Sequence, residues 1–158
     1  MNPMAPRVPP RAAHWLRPWL PAIVWAGVIW VLSTQEFSSA ATSRFIRPLL
    51  EWFFPQASAE TLETLHYAIR KAAHFAEYFV FSLLVLRGIR SERAGWKLTW
   101  ALATVAIAAS YAALDEVHQA FVPERTGSPW DSLLDSSGAV VAQLLAWRSA
   151  RSPGGETG

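Results

Sequence analysis

The sequence predicts an all-α, polytopic membrane protein: four transmembrane helices, with an interfacial amphipathic segment between the first and second. Three observations predict it. Four apolar windows, roughly Trp15 to Leu32, Ala72 to Ile89, Leu98 to Leu114 and Ser132 to Trp147, each approach the ~20 helical residues that a hydrocarbon core about 30 Å thick requires. Lys and Arg flank these windows asymmetrically, as cytoplasmic loops demand. Finally, the polar residues of the second and fourth windows crowd one end, whereas a soluble amphipathic helix carries them as a stripe along its length. With 52% hydrophobic residues, 16% charged residues and nine Trp, the chain departs from soluble proteins, in which about 25% of residues are charged. The mean hydropathy of only +0.17 averages an apolar middle with a Pro/Arg-rich beginning and a Gly-rich end. At 158 residues the chain makes one domain, 1–158, with 1–14 and 150–158 read as disordered tails.

The first window follows basic residues, as a signal peptide would. However, Ser33-Thr34-Gln35-Glu36 offers no small-x-small cleavage pattern, and Pro21 suits the first turn of a retained helix. A connection of about forty residues comes next, too long to be structureless in a compact domain. Within it Phe45, Ile46, Leu49, Leu50, Trp52, Phe53 and Phe54 mix with Arg44, Arg47 and Glu51, the pattern of a helix lying on the membrane surface and kinked at Pro48. Ser58 is placed to cap a helix whose apolar Leu62, Leu65 and Ile69 lead into the second window. The third window is free of charge. Orientation follows from the cations. With the amino terminus inside, Arg7, Arg11, Arg17, Arg87, Arg90, Arg93, Lys97, Arg148 and Arg151 are cytoplasmic, and Arg44, Arg47, Arg70, Lys71 and Arg125 lie outside. Both termini are then cytoplasmic, and all acids except Glu92 and Glu156 lie at or beyond the outer helix ends.

Polar residues gather at those outer ends. Along Arg70-Lys71-Ala72-Ala73-His74-Phe75-Ala76-Glu77-Tyr78, helical periodicity assigns Lys71, His74, Glu77 and Tyr78 to one face. Glu77 lies about 9 Å along the axis from Lys71, deep enough for its charge to need a partner or water. In the third helix Tyr111, Asp115, His118 and Gln119 align, with Glu116 at the margin. Arg125 follows, and Asp131, Asp135, Gly138 and Ala142 form a stripe on the fourth helix whose small residues permit close packing. The second and fourth helices enter the membrane where the third leaves it, so the three groups share one depth. Ionisable residues inside spans are costly and face a bundle interior or a wet cavity, which makes the cluster a functional candidate. An ion network that merely clamps the helices is the structural alternative.

Several chemistries suit these residue types. Carboxylates beside imidazole can exchange protons when burial shifts them toward neutrality, which makes Glu77, Asp115, Glu116 and His118 the candidates for catalysis. Lys71 and Arg125 are candidates to hold a phosphate. With them His74, Tyr78, Gln119, Asp131 and Asp135 make up the ligand-binding candidates. His74 and His118 are candidate metal ligands, although no HExxH is present and the sequence requires no cofactor. Absence of cysteine excludes disulfides and thiolate chemistry. Scattered cations, despite a pI near 9.4, leave nucleic acid without a basic face to bind.

Taken together, Lys71-x-x-His74-Phe75-x-Glu77-Tyr78, Asp115-Glu116-x-His118-Gln119-x-Phe121-x-Pro123-x-Arg125, Asp131 and Gly138 resemble the VanZ-like family. The resemblance covers about half the chain. That family comprises small bacterial integral membrane proteins and is named for a protein associated with resistance to the glycopeptide teicoplanin. The resemblance implies a bacterial cytoplasmic membrane and a cell-envelope context; it lends no reaction, and resistance is not transferred. Asp135 stands where the family pattern usually has Asn, which adds an acid to the cluster. The expectation is therefore recognition of an anionic lipid or lipid-linked cell-wall precursor at the outer leaflet. An intramembrane hydrolase or transferase acting on such a lipid, and a scaffold without ligand, are the alternatives.

Overall fold

A computed structural model of the chain describes residues 16–34, 39–121 and 128–151. Five helices, and no strand, occur among the described residues: α1 (Leu20–Leu32), α2 (Ser39–Phe53), α3 (Ala59–Arg90), α4 (Leu98–Ala120) and α5 (Pro129–Arg151). Of these, α3 and α4 are long and apolar enough to cross a membrane, while α1 is apolar but short. Its 13 residues reach only about 20 Å. The regular helix starts at Leu20 instead of near Trp15, because a turn at 17–19 precedes it, with Pro21 in its first turn.

Helix α3 extends for 32 residues, about 48 Å, because nothing interrupts it between its two terminal devices. At its start the Ser58 side chain accepts the Thr61 backbone N–H at 3.2 Å, satisfying one of the orphan donors of a helix start. At its end Arg87 and Arg90 lie near the negative pole of the helix dipole, and Ser91 leaves helical geometry with φ of 53°. The capped segment and the second apolar window are thus one rod.

The contacts fix an alternating bundle. Trp25 on α1 donates its indole N–H to the Glu77 carbonyl at 2.9 Å, and Trp19 lies against Gly88, so α1 and α3 are antiparallel. Tyr111 donates to the Ala26 carbonyl at 2.7 Å, and Trp30 stacks on His118, so α1 and α4 run together. Pairs of Lys71 with Asp131 and Gln143 with Ser82 show that α3 and α5 run parallel. Tyr78, Phe81 and Val85 of α3 pack with Ile29, Ala108, Ala112 and Ala139. Small residues permit the approach: a Cβ at Gly138 would lie 3.3 Å from backbone atoms of both Phe75 and Phe79. Below it the Ser82 hydroxyl donates to the Ala139 carbonyl at 3.0 Å and accepts from Gln143 at 2.8 Å.

Polar side chains share the interior with this apolar core, and large apolar ones lie outside. Ser82, Thr104, Asp115, Asp135 and Gln143 are buried, while Leu102, Leu114 and Leu144 are more than half exposed on the outside. Helix α2 continues this pattern. It buries Leu50 but exposes Phe45, Leu49, Trp52 and Phe53, and it keeps Pro48 inside the helix. Its Thr42 hydroxyl lies 3.4 Å from His66 of α3, where His66 is buried.

Candidate functional site

Three helices bring their polar residues to one end of the bundle. Lys71, one turn above His74 on α3, donates to the Asp131 carboxylate in the first turn of α5, and both side chains are about three-quarters buried. One turn deeper His74 Nδ1 lies 3.5 Å from Asp135, whose side chain is fully buried. On α4 Gln119 donates to Asp115 at 2.9 Å. Glu116, also buried, accepts the Ser128 backbone N–H at 2.6 Å and thereby holds the start of α5. It also lies within electrostatic reach of Asp131, Asp135 and His74. Tyr78 sits at the floor, fully buried, with Asp115 and Asp135 close enough to act on it.

This cluster holds more hydrogen-bonding capacity than its members use. Asp115 Oδ1, Glu116 Oε1, Asp135 Oδ2 and the Tyr78 hydroxyl are buried with no hydrogen-bond partner among the described residues. Buried polar atoms left unpaired cost about 1–3 kcal/mol each, so atoms of this kind concentrated in one place mark a place for donors.

Helix rotation separates the remaining candidates. Glu77 is a hundred degrees round α3 from Tyr78. It lines a cavity of about 180 Å³ with Leu32, Ile46, Ile69, Arg70 and His74, at the meeting of α1, α2 and α3. His118 lies on the α1 flank of α4 with its ring stacked on Trp30 at 4.0 Å. Of the four candidates for catalysis, Asp115, held by Gln119, and Glu116, at the α5 start, share the cluster around Asp135, whereas Glu77 lines the cavity and His118 stacks on Trp30. Among the described residues no three His, Asp or Glu side chains are arranged to hold a metal ion. Arg125 lies outside the described residues.

Two features were missed in the sequence. Arg70 lines the cavity, and nothing in its spacing sets it apart from its neighbour Lys71. Being adjacent, the two point a hundred degrees apart; Lys71 pairs directly with Asp131 of α5, and Arg70 lies within electrostatic reach of the same carboxylate. The buried His66 likewise carries no signal as a lone histidine in the sequence; Thr42 packs beside it.

Comparison with known proteins adds one match. The family model described as VanZ/LLP1 matches residues 18–150, nearly the whole chain. No curated protein and no solved structure matches it.

Proposed function

Because the chain belongs to the VanZ-like family, we propose that it crosses a bacterial cytoplasmic membrane four times and recognises an anionic lipid or lipid-linked cell-wall precursor at the outer leaflet. Family membership and two long apolar helices make it a membrane protein. The outward-facing leucines of α4 and α5, around an interior that holds the buried polar residues, support passage of these helices through lipid. In this reading α1 completes its crossing with flanking residues at the interface, and α2 lies on the outer surface with Phe45, Leu49 and Trp52 in the acyl region. Both termini are cytoplasmic.

The observation that carries the proposal is the cavity between α1, α2 and α3, which combines Arg70, His74 and Glu77 with Leu32, Ile46 and Ile69 in one lining. Such a mixed lining matches an amphiphile. Arg70 meets a phosphate, for which a guanidinium fork is suited, and the leucine and isoleucine side chains meet the first methylenes of the chain. Carboxylate oxygens only accept hydrogen bonds, so Asp115, Glu116 and Asp135 suit a headgroup rich in hydroxyls more than a bare phosphate. Lys71, neutralised by Asp131, positions the α5 end of the cluster.

Native mass spectrometry of the purified protein tests this reading. Wild-type protein is expected to retain a phosphate-bearing lipid, and Arg70→Gln or the cavity-filling Ile46→Trp to release it. Retention unchanged in both variants would refute the proposal.

A further inference from the structure

The opposite end of the bundle carries a second, unrelated concentration of chemistry. Arg17, Arg87, Arg90, Arg93, Lys97, Arg148 and Arg151 lie there, at the start of α1, the end of α3, the start of α4 and the end of α5, against the single described acid Glu92. Some of these cations are already engaged. Arg93 and Lys97 both lie over the Trp100 ring, and Arg151 lies over Trp147 at 4.4 Å. Arg87 and Arg90 are different. Both are exposed, neither has a carboxylate partner among the described residues, and both line a cavity of about 480 Å³ between the ends of α3 and α5.

The rest of that lining is suited to a particular kind of anion. Leu83 and Leu86 lie one turn deeper along α3, below the arginines, and Ala146 supplies a short wall on α5. Trp96 closes the cavity from the α3–α4 connection, tilted against Trp147 with ring centroids 6.4 Å apart. Its indole N–H is buried without an acceptor among the described residues. Guanidinium groups over aliphatic side chains, with an aromatic ring at the same level, form the layering of a membrane interface, where Trp sits at headgroup depth.

We infer that this cavity is a binding site for the phosphate headgroup of an anionic phospholipid in the leaflet opposite the acidic cluster. Arg87 and Arg90 hold the phosphate, the Trp96 N–H donates to one of its oxygens after a small turn of the ring, and Leu83 and Leu86 meet the glycerol and first methylenes. The arginines lie in the last turn of α3, where the helix carbonyls repel an anion. Two unpaired guanidiniums outweigh that repulsion, since each supplies a full positive charge and a donor fork. The site does not depend on the outer-end proposal, but it does rest on α3 and α5 crossing a membrane.

The test is native mass spectrometry of the full-length protein from detergent supplemented with phosphatidylglycerol, with phosphatidylcholine, or with inorganic phosphate, paired with flotation on phosphatidylcholine vesicles. Wild type is expected to retain phosphatidylglycerol in preference to phosphatidylcholine. Removing one charge-assisted contact costs about tenfold in affinity, so in an Arg70→Gln background, which removes the outer-end lipid, Arg87→Gln/Arg90→Gln is expected to lose the preference, while Arg47→Gln, a cation of α2 paired with Glu51, keeps it. Ala146→Trp fills the cavity without touching a charge and is expected to lose it too. Retention undiminished in both cavity variants overturns the inference, as does inorganic phosphate displacing the lipid at equal concentration. Wild type that floats with vesicles but shows no preference for phosphatidylglycerol also overturns it, leaving the membrane reading intact. Wild type that does not float removes both.

Discussion

Replacing Gly138 with alanine is the smallest perturbation that tests how the cluster is held together. The added methyl would fall within contact distance of the Phe75 carbonyl oxygen and 3.3 Å from Phe75 C and Phe79 N. All three are backbone atoms inside α3, so no side chain can swing aside to relieve the contact. Relief requires α3 and α5 to part, and these helices carry both inter-helix pairs of the site, Lys71 with Asp131 and His74 with Asp135. Overpacking of this kind costs about 1–3 kcal/mol, while exchanging glycine for alanine in a helix returns about 1 kcal/mol. The expected net is a destabilisation of up to about 2 kcal/mol, or as much as several degrees in melting temperature. Gly27 on α1 supplies an internal control. Nothing lies within 4 Å of its Cβ position, so Gly27→Ala is expected to be neutral or to stabilise by up to about 1 kcal/mol. Thermal unfolding of the two variants in the same detergent is the assay. A Gly138→Ala variant that melts no lower than Gly27→Ala would refute the reasoning that α3 and α5 meet at their backbones.

Other perturbations address single contacts. Lys71 and Asp131 are each about three-quarters buried, so a double-mutant cycle with Lys71→Met and Asp131→Asn is expected to give a coupling of about 1–2 kcal/mol, above the ~0–1 kcal/mol of exposed pairs; a coupling near zero would contradict the pairing. Trp30→Ala removes the ring stacked on His118, with an expected loss of about 0.5–1.5 kcal/mol and increased reactivity of His118 toward an imidazole-modifying reagent; unchanged reactivity would place His118 elsewhere. Ser58→Ala deletes the cap of α3 and is expected to cost about 1 kcal/mol, with faster hydrogen exchange confined to the first turns after Ala59; exchange unchanged there would mean the cap is dispensable.

Periodicity made much of the arrangement legible. Apolar windows, the Ser58 cap and the stripe of Asp131, Asp135 and Gly138 all follow from spacing along one helix, and alternation of direction then brings His74 to Asp135 and Lys71 to Asp131. What spacing cannot give is the rotation of each helix about its own axis relative to its neighbours. Glu77 and Tyr78 are adjacent in sequence, yet one faces the α2 cavity and the other the bundle interior, because Trp25 and the small residues of α5 fix the angle of α3. The same limit explains why Glu116, on the margin of its helical face, is buried: Ser128 arrives from the start of α5 to meet it. Sequence spacing does not distinguish Arg70 from Lys71; the direct ion pair with Asp131 falls to Lys71, and Arg70 lines the cavity. The first helix is shorter than its apolar window because residues 17–19 form a turn between Leu16 and Leu20.

The account depends on α3 and α5 entering the membrane from one side and α4 leaving on that side. Native cysteine is absent, so single cysteines introduced at the exposed positions Glu63, Trp130 and Glu92 can be labelled with an impermeant maleimide in vesicles of known orientation. Glu63→Cys and Trp130→Cys are expected to react from the outer face and Glu92→Cys from the inner. Reaction of the first two from opposite faces, or of all three from the same face, would contradict it.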